Sequence, residues 1–388
     1  MKKLFIIGFI GLIGLMGGVN AQRPLGDSAT ASVITCGPGN DFYTTFGHSA
    51  IRITDTANGI DWVYNYGTFD FDTPHFYWKF AKGRLDYCLS RTSYNRFMAD
   101  YEYEQRWVSE QRLDFTPQEV NNLFVMLEWN YLPENRYYRY DLIKDNCATR
   151  VHDMVEAAPS HRKLKIDWMH DGDYSYRHFL HSYMDNTLEW WRIGVDLLLG
   201  LPTDHKCSTE ENMFLPIEME KRFAGAAGTV CLIGSDGNEE TFAEESVALL
   251  QETREPLKPS FPPVVVFTLL FVAVALLTWK RIWPRWADSI LFIIAGLIGL
   301  FLLFMWLGTS HWCTKWNLNI LWASPLLLLI AIRHKKSPRW AVWLQLGCFI
   351  VAAAWVVVCG LSAAIIPIIL MLALRVATLL SSPSPLQA

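Results

Sequence analysis

His48-Ser49-Ala50-Ile51-Arg52-Ile53-Thr54-Asp55-Thr56-Ala57-Asn58-Gly59-Ile60-Asp61-Trp62-Val63-Tyr64-Asn65-Tyr66 is the stretch whose reading decides the fold. From Ser49 to Ile53 the residues alternate with the period of a half-buried strand. Asn58-Gly59 is a strong hairpin turn, and residues 61–66 form the return strand. The result is a β-hairpin with His48 at its entrance. Working outward, residues 31–36 read as a strand that ends in the turn Gly37-Pro38-Gly39-Asn40, and further strands are expected over 85–91 and 107–113. Thr116-Pro117-Gln118-Glu119 opens a helix by a capping box with Pro at its first position, and it runs to about residue 130. After a Tyr-rich segment, Asp145-Asn146 precede a second helix over 147–157, whose exposed amides Asn146 can cap. From there to residue 260 the pattern is mixed, mostly helix and loop. Residues 251–263, polar and Pro-rich, read as a linker.

Both ends of the chain belong to a membrane protein. A hydrophobic content of 51 % over 388 residues is too high for one ordinary soluble domain, and it is unevenly spread. Lys2 and Lys3, an apolar run over 4–16 and the small-x-small pattern Val19-Asn20-Ala21 read as a signal peptide over residues 1–21. An uncleaved first helix is the alternative, but the run is shorter than the roughly 20 residues that a span needs. Residues 22–260 then form one exported domain, without repeats. Residues 261–388 form a bundle of about five helices, with spans expected at about 264–279, 290–307, 318–332, 340–359 and 364–380. Lys280, Arg281 and Arg285 follow the first span and Arg333, His334, Lys335, Lys336 and Arg339 follow the third, so these loops are cytoplasmic and the large domain lies in the periplasm. Arg375, toward the cytoplasmic end of the last span, is expected to snorkel to the interface. A net charge of −4 and basic clusters accounted for by topology give no sign of a nucleic-acid partner. The implied partner is the cytoplasmic (inner) membrane. The aromatic residues over 69–80, and Trp190-Trp191 ahead of 196–202, suit either packing or the interface between water and lipid.

The exported part holds Cys36, Cys88, Cys147, Cys207 and Cys231, an odd number, so at least one thiol is left out of any intrachain pairing. Cys147 is the one placed for chemistry. It starts a helix directly after a capping Asn, where free amides and the helix dipole lower a thiol's pKa and can hold an oxyanion. His48 is the best candidate base, and Asn65 on the return strand is placed to fix the imidazole's tautomer, which gives a Cys-His-Asn arrangement. Cys36 competes, but it has no helix start to activate it, and a disulfide with Cys88 accounts for it equally well. His178-x-x-His181, with His170 and His205, lacks the Cys or carboxylate partners of a metal set, and no cofactor is expected.

Five segments together resemble a known family. Thr35-Cys36-Gly37-Pro38-Gly39, Phe46-Gly47-His48-Ser49-Ala50-Ile51-Arg52, Tyr64-Asn65-Tyr66-Gly67-Thr68-Phe69-Asp70-Phe71, Gly83-Arg84-Leu85-Asp86-Tyr87 and Asp145-Asn146-Cys147-Ala148-Thr149 are similar to the exported domain of the bacteroidal lipoprotein N-acyltransferases. The likeness covers most of residues 31–215, including Asp196–Pro202 and Met213-Phe214-Leu215-Pro216. It implies an α+β, permuted papain-like (NlpC-like) domain, in which the His strand precedes the Cys helix, followed by an all-α membrane bundle. It also implies transfer of a fatty acyl chain from a phospholipid donor to the α-amine of diacylated lipoproteins through a Cys thioester. Cys147 would match the nucleophile, His48 the base and Asn65 the orienting residue. The thioester conserves the reactivity of the ester, so the reaction calls for no nucleotide or metal. A cysteine hydrolase of the NlpC type acting on cell-wall peptides is the main alternative, although a hydrolase needs only a tether and not a bundle. A non-catalytic envelope scaffold is the other.

Overall fold

The computed structural model describes residues 24–166, 174–224 and 229–380. The expected signal peptide, and His170, lie outside the described residues. In chain order the strands are β1 (Thr30–Cys36), β2 (His48–Asp55), β3 (Ile60–Thr68), β4 (Asp86–Ser93), β5 (Val108–Arg112), β6 (Tyr137–Arg139), β7 (Lys163–Ile166), β8 (Val230–Ile233), β9 (Glu239–Thr241) and β10 (Val247–Leu250). Among the described residues the α-helices ahead of the spans are α1 (Phe76–Ala81), α2 (Tyr94–Tyr103), α3 (Pro117–Tyr131), α4 (Cys147–Ala157), α5 (Tyr176–Ser182), α6 (Glu189–Leu198), α7 (Thr209–Asn212) and α8 (Pro216–Phe223). The membrane part holds α9 (Pro263–Trp279), α10 (Arg285–Leu307), α11 (Leu326–Arg333), α12 (Arg339–Val358) and α13 (Ile365–Ala377).

These elements sort into two compact units, and the chain passes between them more than once. The first takes the residues up to Thr73, Asp86–Asp171 and Ser208–Arg254; the second takes Pro74–Leu85, Gly172–Cys207 and the residues from Glu255 onward. In the first unit an antiparallel seven-stranded sheet runs β10-β5-β1-β2-β3-β4-β6, and β7-β8-β9 make a smaller sheet. The hairpin forms as its sequence requires, with Ile51 opposite Tyr64 and Ile53 opposite Trp62. Ile51, Ile53 and Tyr64 point into a core closed by Leu123 and Leu127 of α3 and Ala148 and Val151 of α4. The Thr116–Glu119 capping box that starts α3 is present.

Three expectations are corrected here. The segment after residue 157, read as helix and loop, also contributes β7 to β10. These strands have only three or four residues each, too few for an alternation such as Lys163-Leu164-Lys165-Ile166 to stand out, and β9 is Glu239-Glu240-Thr241, exposed throughout. A Cys36–Cys88 disulfide does not form; both residues carry thiols. β2 and β3 lie between the two strands involved. Three strand spacings, roughly 14 Å in all, exceed the reach of a disulfide. Arg375 does not snorkel. It is buried, with Nε and Nη2 donating to Asp288 Oδ1 and Oδ2 at 2.6 and 2.9 Å and Nη1 to Thr278 Oγ1 at 2.7 Å.

In the second unit α10, the stretch Trp312–Arg333 and α12 are long and apolar enough to span a membrane, and α9 and α13 are shorter apolar helices. Trp312–Arg333 is broken by two short 3-10 turns ahead of α11. Irregular backbone at such depth has to be satisfied by protein. Gln345 Nε2 donates to Leu321 O at 2.9 Å, and Asn319 Nδ2 to Asp196 O at 2.8 Å. Asp196 itself, fully buried, accepts from Arg177 Nη1 at 3.0 Å, His181 Nε2 at 2.7 Å and the Ser362 amide at 2.7 Å, which fastens α6 to the bundle.

Candidate active site

Asn146 fixes the start of α4. Its Oδ1 accepts from the Thr149 amide at 3.0 Å, while Thr149 Oγ1 accepts from the Asn146 amide at 2.8 Å. Its Nδ2 donates to the carbonyls of Leu142 and Phe214 at 2.7 and 2.9 Å. Both ends of this one side chain are therefore held, and Cys147 is set as the first residue of the helix, 8 % exposed. The backbone N–H groups of Ser49, Ala148 and Cys147 itself donate toward its sulfur. Amides so directed favour the thiolate over the thiol.

His48 opens β2, immediately before Ser49, opposite Cys36 on β1. Gly47 makes this entry possible. Its φ is +77°, and a Cβ there would lie 2.7 Å from the Cys36 carbonyl oxygen. His48 Nε2 lies 3.2 Å from Asn65 Oδ1 on β3. The amide oxygen only accepts, so the imidazole proton sits on Nε2 and Nδ1 presents its lone pair as a base. Two residues further along, Gly67 adopts φ +88°, a conformation that favours glycine, 3.7 Å from the Cys147 Cβ as measured from an ideal Cβ position. A break in register between Asn65 and Thr68 against β4 accompanies this turn of the backbone.

The electrostatics differ in one respect from the sequence reading. Burial is the largest influence on Cys147 and pushes its thiol up; the three amides and the charge of Arg106 recover only part of this. For His48 burial also dominates and pushes the imidazole down to about 4, with the Asn65 bond opposing and Arg106 reinforcing. At neutral pH both directions favour a protonated thiol and a neutral imidazole, where the helix start alone suggested a ready thiolate. Cys36 is placed far less favourably: burial drives its thiol up to about 12 despite a bond with Tyr101.

Sequence reasoning missed Arg106. The side chain is buried, with Nε donating to Gly37 O at 2.8 Å and Nη1 to Glu104 Oε2 at 2.7 Å. Its charge acts on Cys147, His48 and Cys36 together. It belongs to no motif, and only the strand pairing that brings β5 beside β1 places it there. The histidines set aside as metal ligands go to separate partners. His181 bonds Asp196, His178 stacks on Tyr174 and His205 lies near Tyr176. One group among the described residues, His152, Asp153 and Glu156 on α4, brings a possible ligand atom from each residue within 4.8 Å of the others.

The fold defines a class, that of membrane proteins in which an exported domain built on an antiparallel sheet is joined to a bundle of apolar helices. Residues 24–180 match the Lnb N-terminal periplasmic domain and residues 254–382 match the Lnb transmembrane domain. The chain belongs to the Lnb family, the bacteroidal lipoprotein N-acyltransferase family, and is an inner-membrane protein with a periplasmic domain. No curated protein and no solved structure matches it.

Proposed function

We propose that the chain is a lipoprotein N-acyltransferase in which Cys147 is the nucleophile, His48 the base and Asn65 the residue that orients the imidazole. The observation that carries this reading is the thiol at the first residue of α4, toward which the amides of Ser49, Cys147 and Ala148 donate, Ser49 being the residue directly after His48, whose Nε2 lies 3.2 Å from Asn65 Oδ1. The family's place in lipoprotein processing and the membrane domain support a lipid substrate.

The reaction divides into two acyl transfers. His48 Nδ1 takes the Cys147 proton as the sulfur attacks the ester carbonyl of a phospholipid. The oxyanion is held by these amides. Collapse expels lysophospholipid, whose alkoxide takes the proton back from His48, and leaves an acyl thioester. The α-amine of a diacylated lipoprotein then attacks the thioester, His48 accepts the amine's proton, and the amide product departs as the sulfur is reprotonated. A neutral starting pair suits this sequence, because no charge is buried until substrate arrives to share it.

The test is mass spectrometry of lipoprotein N-terminal peptides from cells whose sole copy is the wild-type chain, Cys147→Ala or His48→Ala. Loss of the N-linked acyl chain, with diacylglyceryl-cysteine accumulating in both variants, is the expected result. Triacylated lipoproteins persisting in Cys147→Ala would overturn the mechanism and leave cell-wall peptides as the substrates to try.

A further inference from the structure

The short helix α1 interrupts the exported sheet, since the chain enters it from β3 and leaves it into β4, yet it belongs to the membrane unit. Three of its ties run to the end of one span. The Ser310 amide donates to Lys82 O at 2.9 Å, His311 Nε2 lies 3.1 Å from Phe80 O, and the Trp78 ring stacks on that of Phe304 with centroids 5.9 Å apart. Phe304 is three residues from the end of α10, and at 1.5 Å per residue it sits about 4.5 Å inside the helix terminus. That terminus is the periplasmic one, because the basic residues 280–285 mark the opposite end as cytoplasmic. Trp78 is therefore level with the last turn of a membrane span.

What α1 shows to its surroundings fits that depth. Tyr77 is 80 % exposed, Trp78 56 % and Phe80 50 %, and Lys82 Nζ lies 4.5 Å over the Trp78 ring. Water alone is a poor neighbour for three large rings on six residues, whereas the layer of headgroups and glycerol accommodates rings with polar edges and flanking lysines. A second element at the same end repeats the pattern. α6 buries Val195 and Asp196 but exposes Trp190 and Trp191. Trp190 Nε1 donates to Phe261 O at 3.0 Å just before α9, and Arg192 Nη2 donates to Gly360 O at 3.1 Å between α12 and α13.

We infer that α1 and α6 form an outer-leaflet collar on the membrane unit, in which Tyr77, Trp78, Phe80, Trp190 and Trp191 dock into the phospholipid headgroup–glycerol interface. The occupant is the bilayer around the spans, continuous with the lipid that the bundle already contacts. One strip of sequence that reads as part of the exported domain is thereby an interfacial membrane element.

The test uses the full chain carrying Cys147→Ala, so that its outcome does not depend on the proposed chemistry. A photoreactive benzophenone amino acid replaces Tyr77, Trp191 or, as the comparison position, Tyr103, which is 90 % exposed in the exported unit. Each protein is placed in nanodiscs of phosphatidylethanolamine and phosphatidylglycerol and irradiated. Peptides carrying the mass of one phospholipid at positions 77 and 191, and none at 103, are expected. Protein–protein adducts at 77 and 191 would overturn the proposal in favour of a second copy, and the absence of lipid adducts there would overturn it outright. Unchanged gel-filtration behaviour identifies the folded samples, and Phe80 is the substitute position if the Tyr77 replacement does not fold.

Discussion

Replacing Asn65 by Asp puts a carboxylate where an amide oxygen now sits 3.2 Å from His48 Nε2. In the native site burial holds the imidazole down at about 4 and pushes the Cys147 thiol up, so the imidazolium–thiolate pair that reacts with alkylating agents is scarce. Its population scales with the difference between the two pKa values. An adjacent carboxylate raises an imidazole by about 1–3 units, and each unit is a factor of ten in that population. Asn65 is half-buried, and solvent screening favours the lower part of the range, an increase of about tenfold to a hundredfold. The assay is the rate of iodoacetamide labelling of the Cys147 peptide, followed by mass spectrometry between pH 5.5 and 8, so that the other cysteines do not interfere. Asn65→Asp is expected to label faster at pH 6–7, and Asn65→Ala no faster than the native chain. Superimposed profiles for Asn65→Asp and native protein would refute the coupling of Asn65, His48 and Cys147.

Stability carries the same signature. The folded imidazole titrates near 4 and the unfolded one near 6.5, so below pH 6.5 the unfolded state binds a proton that the folded state refuses. Stability is whole above that value and falls by up to about 3 kcal/mol as pH drops to 4, a slope that thermal melts of His48→Gln should show reduced. Gly47→Ala forces a side chain to φ +77° and 2.7 Å from the Cys36 carbonyl oxygen; a loss of roughly 2–4 kcal/mol in a denaturant titration is expected, with Cys147 labelling altered because the neighbouring Ser49 amide moves. Asn146→Ala removes a cap of about 1 kcal/mol and leaves two carbonyls short of a donor, so melting should fall further than for a cap alone. Arg375→Met leaves the buried Asp288 carboxylate without its guanidinium and with the neutral Trp283 Nε1 donor at 2.9 Å, at a cost of about 3–5 kcal/mol in detergent melts, and adding Asp288→Leu should recover much of it.

The parts of the site that sequence disclosed are those fixed within a few residues. The hairpin follows from alternation around Asn58-Gly59, and the start of α4 from Asn146 and Thr149, whose reciprocal bonds are local. The His48–Asn65 contact was legible because the two strands of one hairpin supply its members. Burial reversed the expected direction for Cys147, since a helix start announces itself in sequence while the protein packed over the sulfur does not. Arg106 reaches the site by strand pairing, and Arg375 finds Asp288 across 87 residues. No pattern within one segment encodes either of these pairings. The same holds for α1, whose sequence neighbours are sheet strands and whose bonds are to residues 310 and 311.

That last bond has a consequence for biogenesis. Phe80 and His311 are separated by 231 residues, so at about 5–20 residues per second the ribosome needs roughly 10–45 s to deliver the partner that α1 requires. Throughout that interval Trp78 and Phe80 lack the helix end they contact in the folded chain. For the same reason a cut after Arg254 does not release a self-sufficient periplasmic fragment. It leaves residues 74–85 and 172–207 as orphans of the missing unit, and a soluble version has to be built by excising both strips rather than by truncation alone.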